Sequence, residues 1–309
     1  MAYNGNGKAV NRVSEWKLKE QMAEIGRKIW LKGFCAGNEG NHSYRLSEDR
    51  VLCTPSLISK GNLKPDDMCV VDLEGKQVSG KRKRTSEILL HLAIYKERDD
   101  VRAVIHSHPP HATAFAIADI ELPTCIHPEA EVFLGPVKTA KYVTPGDTRL
   151  PASIKPYIKE SNTILLGNHG VVCYGPDLED AYYKLEIVDA YARILLLTKQ
   201  LGSVRPLSGD EMQDLLALKT RFGMYDPRTA PGAKPESQTC AGTDFLTRVG
   251  GEIGTKGRMA TPEGTTGPVR PQASVMERAI QSMTPQNYSE SDIENLVQTI
   301  TDQIMAVAR

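Results

Sequence analysis

Hydrophobic periodicity alternates between helical and strand spacing throughout residues 15–225. A first helix is predicted by an apolar stripe at helical spacing, formed by Leu18, Met22, Ile25 and Ile29. A second helix is predicted to start after Ser86, whereas residues 101–108 alternate between two faces and predict a strand. Because both periods recur along the segment, we expect one folded unit that combines helices with a sheet.

The composition changes at about residue 225. Residues 226–271 contain eight glycines and six prolines, about 30% of the segment, which is typical of a flexible linker. A final apolar stripe at helical spacing is formed by Ile293, Leu296, Val297, Ile300, Ile304, Val307 and Ala308. We therefore predict a folded domain over residues 1–225, a linker over 226–274 and an amphipathic helical tail over 275–309.

The charge balance excludes several classes of partner. The chain has 309 residues, with 38 Lys and Arg against 38 Asp and Glu, so the formal net charge is zero. A neutral chain has no general attraction to nucleic acids or anionic membranes. No apolar run approaches the ~18 residues of a membrane span, and the N-terminus lacks the hydrophobic stretch of a signal peptide. We therefore expect a cytoplasmic protein with neither nucleic acid nor membrane as a partner.

The cysteines are scattered along the chain, with no C-x-x-C pair, which excludes a zinc ribbon or a secreted disulfide framework. They are Cys35, Cys53, Cys69, Cys125, Cys173 and Cys240. We expect reduced, mostly buried thiols, as is usual for cysteines of this kind.

Three histidines form a candidate metal site. His106 and His108 lie two apart on one face of the predicted strand, so both imidazoles can converge on one point. His169 lies between Gly167 and Gly170 in a predicted tight turn, where small neighbours let a ligand approach the backbone. Two histidines alone are a weak signal for metal, and the third strengthens it.

The other histidines have simpler expected roles. His91 is expected to be a packed helix residue, and His42 to belong to a turn. His111 is expected to form a hydrogen bond near the site without binding metal.

The tripeptide Thr85-Ser86-Glu87 precedes the second predicted helix. A Ser or Thr cap followed by an acidic residue explains most such tripeptides, but exposed N–H and hydroxyl donors at a helix start also bind anions. Gly40-Asn41-His42-Ser43 and Thr54-Pro55-Ser56 are turn-like and would add donors of the same kind. The residues alone leave both interpretations open.

Five motifs, taken in order, resemble those of the class II aldolase and adducin-like family over about residues 15–225. They are Gly40-Asn41-His42-Ser43; Thr54-Pro55-Ser56 followed by Lys60-Gly61-x-Leu63-x-Pro65-x-Asp67; Thr85-Ser86-Glu87 with His91; His106-Ser107-His108-Pro109; and Leu166-Gly167-Asn168-His169-Gly170. Their shared order and spacing are more specific than any single motif.

The resemblance implies a protein of the α/β class, with a three-layer αβα fold around a central mixed, largely antiparallel sheet. It also implies a four-fold homotetramer with active sites between neighbouring subunits. One zinc ion per subunit would be held by His106, His108 and His169. Glu87 would be a further ligand when substrate is absent and the general acid/base during the reaction. Phosphate would bind near Asn41, Ser56, Thr85 and Ser86.

The activity implied by the resemblance is retro-aldol cleavage of a deoxyketose 1-phosphate, such as fuculose or rhamnulose 1-phosphate, to dihydroxyacetone phosphate and lactaldehyde. Zinc would stabilise the enediolate as a Lewis acid while Glu87 shuttles a proton. The tyrosine acid of such enzymes has no counterpart, because Pro128 stands at the aligned position. The general acid is therefore unassigned: Tyr142, His127 and Glu129 are the candidates, with Glu131 less favoured, and Tyr142 is the one we name as a candidate catalytic residue.

Two other functions stay open. A sugar-phosphate dehydratase or 4-epimerase of the same family keeps the three histidines, so the acid opposite the metal must discriminate it from an aldolase. An adducin-like scaffold domain needs no metal ligands, and the intact set of His106, His108, His169 and Glu87 argues against it. A divalent ion other than zinc is also open.

The predicted tail resembles the encapsulation peptides that direct enzymes into bacterial microcompartments. Its polar face is acidic, whereas a membrane-surface helix would carry Lys and Arg there. We expect residues 287–309 to bind shell proteins, which would place the enzyme in the lumen of a microcompartment. A helix that docks on its own subunit is the alternative.

Overall fold

The computed structural model describes residues 14–224 and 226–229. The helices are α1 (Glu15–Leu31), α2 (Ile88–Glu97), α3 (Pro110–Ala118), α4 (Leu150–Ile154), α5 (Leu178–Leu201) and α6 (Gly209–Arg221). The strands are β1 (Asn41–Arg45), β2 (Val51–Cys53), β3 (Cys69–Val71), β4 (Gln77–Ser79), β5 (Ala103–Ser107), β6 (Lys138–Ala140), β7 (Thr163–Leu166) and β8 (Gly170–Gly175). None of these helices is both long and apolar enough to cross a membrane.

The predicted linker beyond residue 229 and the predicted tail over 275–309 lie outside the described residues. The limits proposed for the domain, the linker and the tail therefore stay predictions.

The eight strands form one mixed sheet in the order β4-β3-β2-β1-β5-β8-β7-β6. Neighbouring strands pair antiparallel, except that β6 and β7 are parallel. β1 and β8 flank β5, so the strand that carries His106 lies in the middle of the sheet. The mixed, largely antiparallel sheet is thus confirmed.

Helices cover both faces of the sheet. Successive strand residues point to opposite sides, and the residues on both sides are apolar. In β5, Ile105 belongs to a core shared with α1, α3 and α5, whereas Val104 belongs to a second core shared with α2 and α4. A fully buried Leu, Ile or Val contributes roughly 1.5–3 kcal/mol relative to exposure. A register slip of one residue would exchange the two sets, so the two cores fix the register. The three-layer αβα fold is confirmed.

Local signals set the starts of the first two helices. The Ser14 hydroxyl accepts a hydrogen bond from the backbone N–H of Lys17 at 3.3 Å and caps α1. α2 begins at Ile88, directly after Glu87, which is its N-cap residue. The prediction of a turn at His42 is wrong, because β1 pairs there with both β2 and β5 and this backbone is extended.

The expectation of reduced cysteines is only partly correct. The free and buried cysteines are Cys35, Cys53, Cys69 and Cys173. Cys125 is disulfide-bonded, which corrects the prediction, since scattered positions in sequence do not report proximity in space. Cys240 lies outside the described residues.

Candidate functional site

The three histidines singled out by their spacing meet at one end of the central strands. His106 lies near the end of β5, and His108 follows directly after that strand. β8 pairs antiparallel with β5, so His169, in the turn before β8, reaches the same end. Their ligand nitrogens all lie within 4.8 Å of one another. The ring centroids of His106 and His169 are 4.6 Å apart, and the other two pairs are 5.0 Å apart.

Polar contacts of the two Nδ1 atoms fix which nitrogen of His106 and of His108 faces the centre. His106 Nδ1 donates to the carbonyl oxygen of Val171 at 2.9 Å, and His108 Nδ1 lies 3.2 Å from a carboxylate oxygen of Glu39. The Nε2 atoms of His106 and His108 therefore face each other across 3.2 Å. Burial, together with the two neighbouring histidines, holds the pKa of His106 well below its ordinary value. This ring is neutral, and its Nε2 lone pair is available to a cation.

Two glycines let the rings approach the backbone. A Cβ atom at Gly170 would lie 2.5 Å from Cδ2 of His108 and 2.7 Å from the carbonyl oxygen of Ser107. Gly40 has a φ of +73°, and a Cβ atom there would lie 3.1 Å from the carbonyl oxygen of His106. Any larger residue at 170 would displace the His108 ring, so glycine is needed for this packing.

Glu87 lies beside the histidine cluster and is only 8% exposed. Its Oε2 lies 3.5 Å from Nε2 of His106, and its Oε1 lies 3.6 Å from Nε2 of His169. Among the described residues, Oε1 has no hydrogen-bond partner, and neither has Nδ1 of His169. Buried polar atoms are normally paired, and converging imidazoles with a carboxylate are typical divalent-metal ligands. The residues present therefore fit a divalent metal ion.

Asn41 contacts Glu87 directly. Its Nδ2 donates to Oε2 of Glu87 at 2.8 Å, and its Oδ1 lies 2.5 Å from Nε2 of His91. The register of β1 against β5 places Asn41 opposite His106. The side chain thus already binds two neighbours, and its assignment as a phosphate ligand stays a prediction.

The other proposed phosphate ligands come from two segments that lie side by side. A bridge joins Pro55 to Arg84, and the Ser56 hydroxyl donates to the carbonyl oxygen of Arg84 at 2.9 Å. This pairing brings Ser56 next to the tripeptide, in which Thr85 is buried and Ser86 is exposed. Their role in binding phosphate stays a prediction.

Leu57 follows Ser56 with a φ of +58° and is 84% exposed. A left-handed backbone is rare for a leucine and common for glycine. The turn therefore holds a conformation that a glycine would adopt without strain.

The candidate acids differ in their surroundings. Tyr142 is 55% exposed, and its backbone lies against Gly167, at the start of the turn that carries His169. His127 stacks on Tyr191 with ring centroids 5.7 Å apart. Glu131 is buried and bound by Arg228, which leaves it a structural role. Glu129 is exposed, 3.4 Å from Nδ1 of His127.

Two contacts near the site complete its description. Glu39, the partner of His108, carries no periodic or motif signal in the sequence and was not predicted. The expected hydrogen bond of His111 is present, because its Nδ1 lies 2.9 Å from a carboxylate oxygen of Asp189. The same carboxylate accepts the backbone N–H groups of His111 and Ala112 at the start of α3.

The protein is therefore an α/β protein with an αβα domain. Its candidate metal site, of three histidines and a carboxylate, lies at one end of the sheet. Residues 20–196 match the family described as Class II Aldolase and Adducin N-terminal domain. This match covers more than half of the chain, and the protein belongs to this family.

The matched part of this chain spans nearly the whole length of known relatives. An L-fuculose phosphate aldolase of Methanocaldococcus jannaschii is 36% identical over 179 residues, which are 58% of this chain and 96% of that protein. A 3-oxo-tetronate 4-phosphate decarboxylase of Haemophilus influenzae is 33% identical over 201 residues, 64% of this chain and 95% of that protein.

Solved structures show the same fold. An L-fuculose 1-phosphate aldolase superposes with a TM-score of 0.62 at 29% identity, over 70% of this chain and 100% of that chain. YgbL of Klebsiella pneumoniae superposes with a TM-score of 0.61 at 30% identity, over 66% of this chain and 99% of that chain.

Proposed function

We propose that the protein is a zinc-dependent lyase that cleaves a deoxyketose 1-phosphate, such as fuculose or rhamnulose 1-phosphate, to dihydroxyacetone phosphate and lactaldehyde. The observation that carries this proposal is the convergence of His106, His108 and His169 on the unpartnered carboxylate oxygen of Glu87. The relatedness to an L-fuculose phosphate aldolase supports the reaction type.

One zinc ion per subunit would be held by the three histidines, with Glu87 as a further ligand before substrate binds. When bound, such an ion supplies Lewis acidity that stabilises negative charge on substrate oxygens. The hydrogen bond of His106 to Val171 and the 3.2 Å contact of His108 Nδ1 with the Glu39 carboxylate hold the two rings in the orientation that ligation needs.

The protein side chains move the protons. The C4 hydroxyl loses its proton, the C3–C4 bond breaks to release lactaldehyde, and the electron pair remains in a C2–C3 enediolate. The carboxylate of Glu87 takes up the proton removed at C4 and then delivers it to C3, which completes dihydroxyacetone phosphate and returns Glu87 to its ionised form. Tyr142 is our candidate for the group that relays the C4 proton, releasing its own phenol proton as it accepts that one.

The substrate phosphate is proposed to bind at Ser56, Thr85 and Ser86, with Asn41 at the edge of this site. The bridge between the two segments supports this assignment, because it gathers hydroxyl groups just before the N-terminus of α2. Backbone N–H groups at a helix start favour a dianion.

A second candidate reaction is decarboxylation of a 3-oxo-acid phosphate. The 33% identity to a 3-oxo-tetronate 4-phosphate decarboxylase favours it specifically. Both reactions break a bond to the carbon beside a carbonyl and leave an electron pair that must be stabilised, so the same site suits either. Product analysis separates them.

Two assembly features complete the proposal. We propose a homotetramer with active sites between subunits, as the motif resemblance implies. We also propose that residues 287–309 bind shell proteins of a bacterial microcompartment, which would retain lactaldehyde.

The test is an assay of dihydroxyacetone phosphate released from a deoxyketose 1-phosphate by the zinc-loaded enzyme. Glu87→Gln is the paired variant, because it keeps the size of the side chain and removes its proton transfer. We expect it to keep the fold and most of the zinc while turnover falls by roughly 100- to 10,000-fold. Turnover near the wild-type rate would contradict the role of Glu87.

A further inference from the structure

One row of side chains on α2 packs against one row of side chains on β1. On the helix side, Glu87, His91 and Tyr95 are four residues apart and share one face, with Glu87 at the N-cap. On the strand side, Asn41 and Ser43 are two residues apart and also share a face. Four helical residues advance about 6 Å, and two strand residues advance about 6.8 Å. Because these advances are similar, the side chains of the helix and those of the strand interdigitate.

The alternating side chains form a continuous hydrogen-bond chain. Asn41 Nδ2 is 2.8 Å from Glu87 Oε2, and Asn41 Oδ1 is 2.5 Å from His91 Nε2. Ser43 Oγ is 2.7 Å from His91 Nδ1 and 2.8 Å from the hydroxyl of Tyr95. All five residues are buried, so water does not compete for these contacts.

The carboxylate of Glu87 sets the direction of the hydrogen bonds from Asn41 through His91 to Ser43. A carboxylate only accepts, so Asn41 must turn its NH₂ group towards Glu87 and its carbonyl oxygen towards His91. His91 must then donate from Nε2 and accept the Ser43 hydroxyl proton at Nδ1. Burial lowers the pKa of His91 to about 3, which keeps the ring in the neutral form that this pattern needs.

We propose that His91 is a positioning residue, which acts through Asn41 to hold the carboxylate of Glu87 between His106 and His169. This inference rests on the proposed function of Glu87 in proton transfer. Without a donor at Nε2 of His91, the carbonyl oxygen of Asn41 loses its anchor, and the amide can shift so that its NH₂ group no longer meets the carboxylate. Glu87 then loses the N–H that holds it beside the histidines.

Two substitutions of similar polarity separate positioning from packing. His91→Gln places an amide N–H near the position of Nε2 and keeps the donor to Asn41. In His91→Asn the shorter side chain reaches only as far as the position of Nδ1, so Asn41 loses its N–H donor. Positioning errors of this size reduce rates by about 100-fold, so we expect kcat of His91→Asn to fall by roughly that factor.

The expected pattern has three parts. His91→Gln should recover most of the kcat lost in His91→Asn, KM should change less than kcat in both since Ser56, Thr85 and Ser86 are untouched, and both variants should retain zinc. Equal kcat in the two variants, whether high or low, would overturn the proposal. A KM increase with unchanged kcat would also overturn it.

Neutron diffraction of the wild-type protein is the second test, and it does not depend on variant folding. We expect deuterium on Nε2 of His91 and the ND₂ group of Asn41 facing Glu87. Deuterium on Nδ1 would overturn the proposal. If the wild-type enzyme cleaved no ketose phosphate, the proposed function would fail, and the deuterium positions alone would still decide the inferred hydrogen-bond chain.

Discussion

His106 Nδ1 donates to the backbone carbonyl oxygen of Val171 at 2.9 Å, on the neighbouring strand β8. Strand pairing therefore does more than build the sheet, because it orients the imidazole of His106 with its Nε2 towards His108 and His169. Since the acceptor is a backbone atom of a buried strand, this orientation persists in any variant that keeps the sheet.

Loss of a ligand histidine should remove the metal. We predict that His106→Ala and His169→Ala each lose zinc and activity, because two remaining imidazoles make an incomplete site. His111→Ala is the matched control, since His111 binds Asp189 and should leave one zinc per subunit. Metal analysis of the purified proteins makes the comparison, and full zinc occupancy in either ligand variant would contradict the site.

Gly170 should be essential for metal affinity although it offers no ligand. In Gly170→Ala the new Cβ would lie 2.5 Å from Cδ2 of His108, so the ring must move. We expect zinc affinity to fall by roughly 10- to 100-fold, the range for groups that orient a ligand. Gly209→Ala is the control, because a Cβ there would meet no atom within 4 Å outside its chain neighbours and the adjoining helix backbone. Competition with a chelator measures both, and equal affinity would refute this explanation.

The histidine cluster could be predicted from the sequence, because a two-residue strand period and a glycine-flanked turn are local patterns, whereas the three-layer fold was predicted from the resemblance of five ordered motifs to a known family. The residues that contact and orient these site residues could not be predicted from the sequence. Glu39 reaches His108 only through tertiary packing, and His91 reaches Glu87 only because β1 lies against α2. The turn predicted at His42 failed for the same reason, since pairing with two strands overrode the local signal.

The position of the domain boundary can be tested by truncation. Asp226 Oδ2 lies 2.8 Å from Lys219 Nζ, and Arg228 lies 2.6 Å from the carboxylate of Glu131, all in buried surroundings. Ending the chain at residue 225 would leave Lys219 and Glu131 buried without these partners, which costs about 3–5 kcal/mol when such pairs are broken.

We therefore predict that a chain ending at residue 225 unfolds roughly 10 °C below one that ends at residue 229. Differential scanning calorimetry of both truncations provides the measurement. Identical unfolding temperatures would show that these ion pairs contribute nothing to stability.

Lys60 should make stability depend on pH in the alkaline range. Its ammonium group is buried and donates to the carbonyl oxygens of Asn38 and Ile58. Burial lowers its pKa from 10.5 to about 8. Between these two values the unfolded chain holds the proton more tightly than the folded chain, so the free energy of unfolding rises with pH.

The size of this effect follows from the shift, which corresponds to about 3 kcal/mol between pH 8 and 10.5. Urea unfolding of the wild type and of Lys60→Met across this range isolates it, because other titrating groups are common to both. We expect the wild type to gain stability relative to the variant as pH rises. A constant difference would contradict the lowered pKa.

The most direct test of the proposed reaction is product analysis of the zinc-loaded enzyme with matched substrates. The panel contains fuculose 1-phosphate, rhamnulose 1-phosphate, 5-deoxyribulose 1-phosphate and a 3-oxo-tetronate 4-phosphate. We predict that at least one deoxyketose 1-phosphate yields dihydroxyacetone phosphate, that chelation abolishes this yield and zinc restores it, and that the 3-oxo-acid releases no carbon dioxide. Release of carbon dioxide without cleavage of any deoxyketose phosphate would contradict the aldolase assignment.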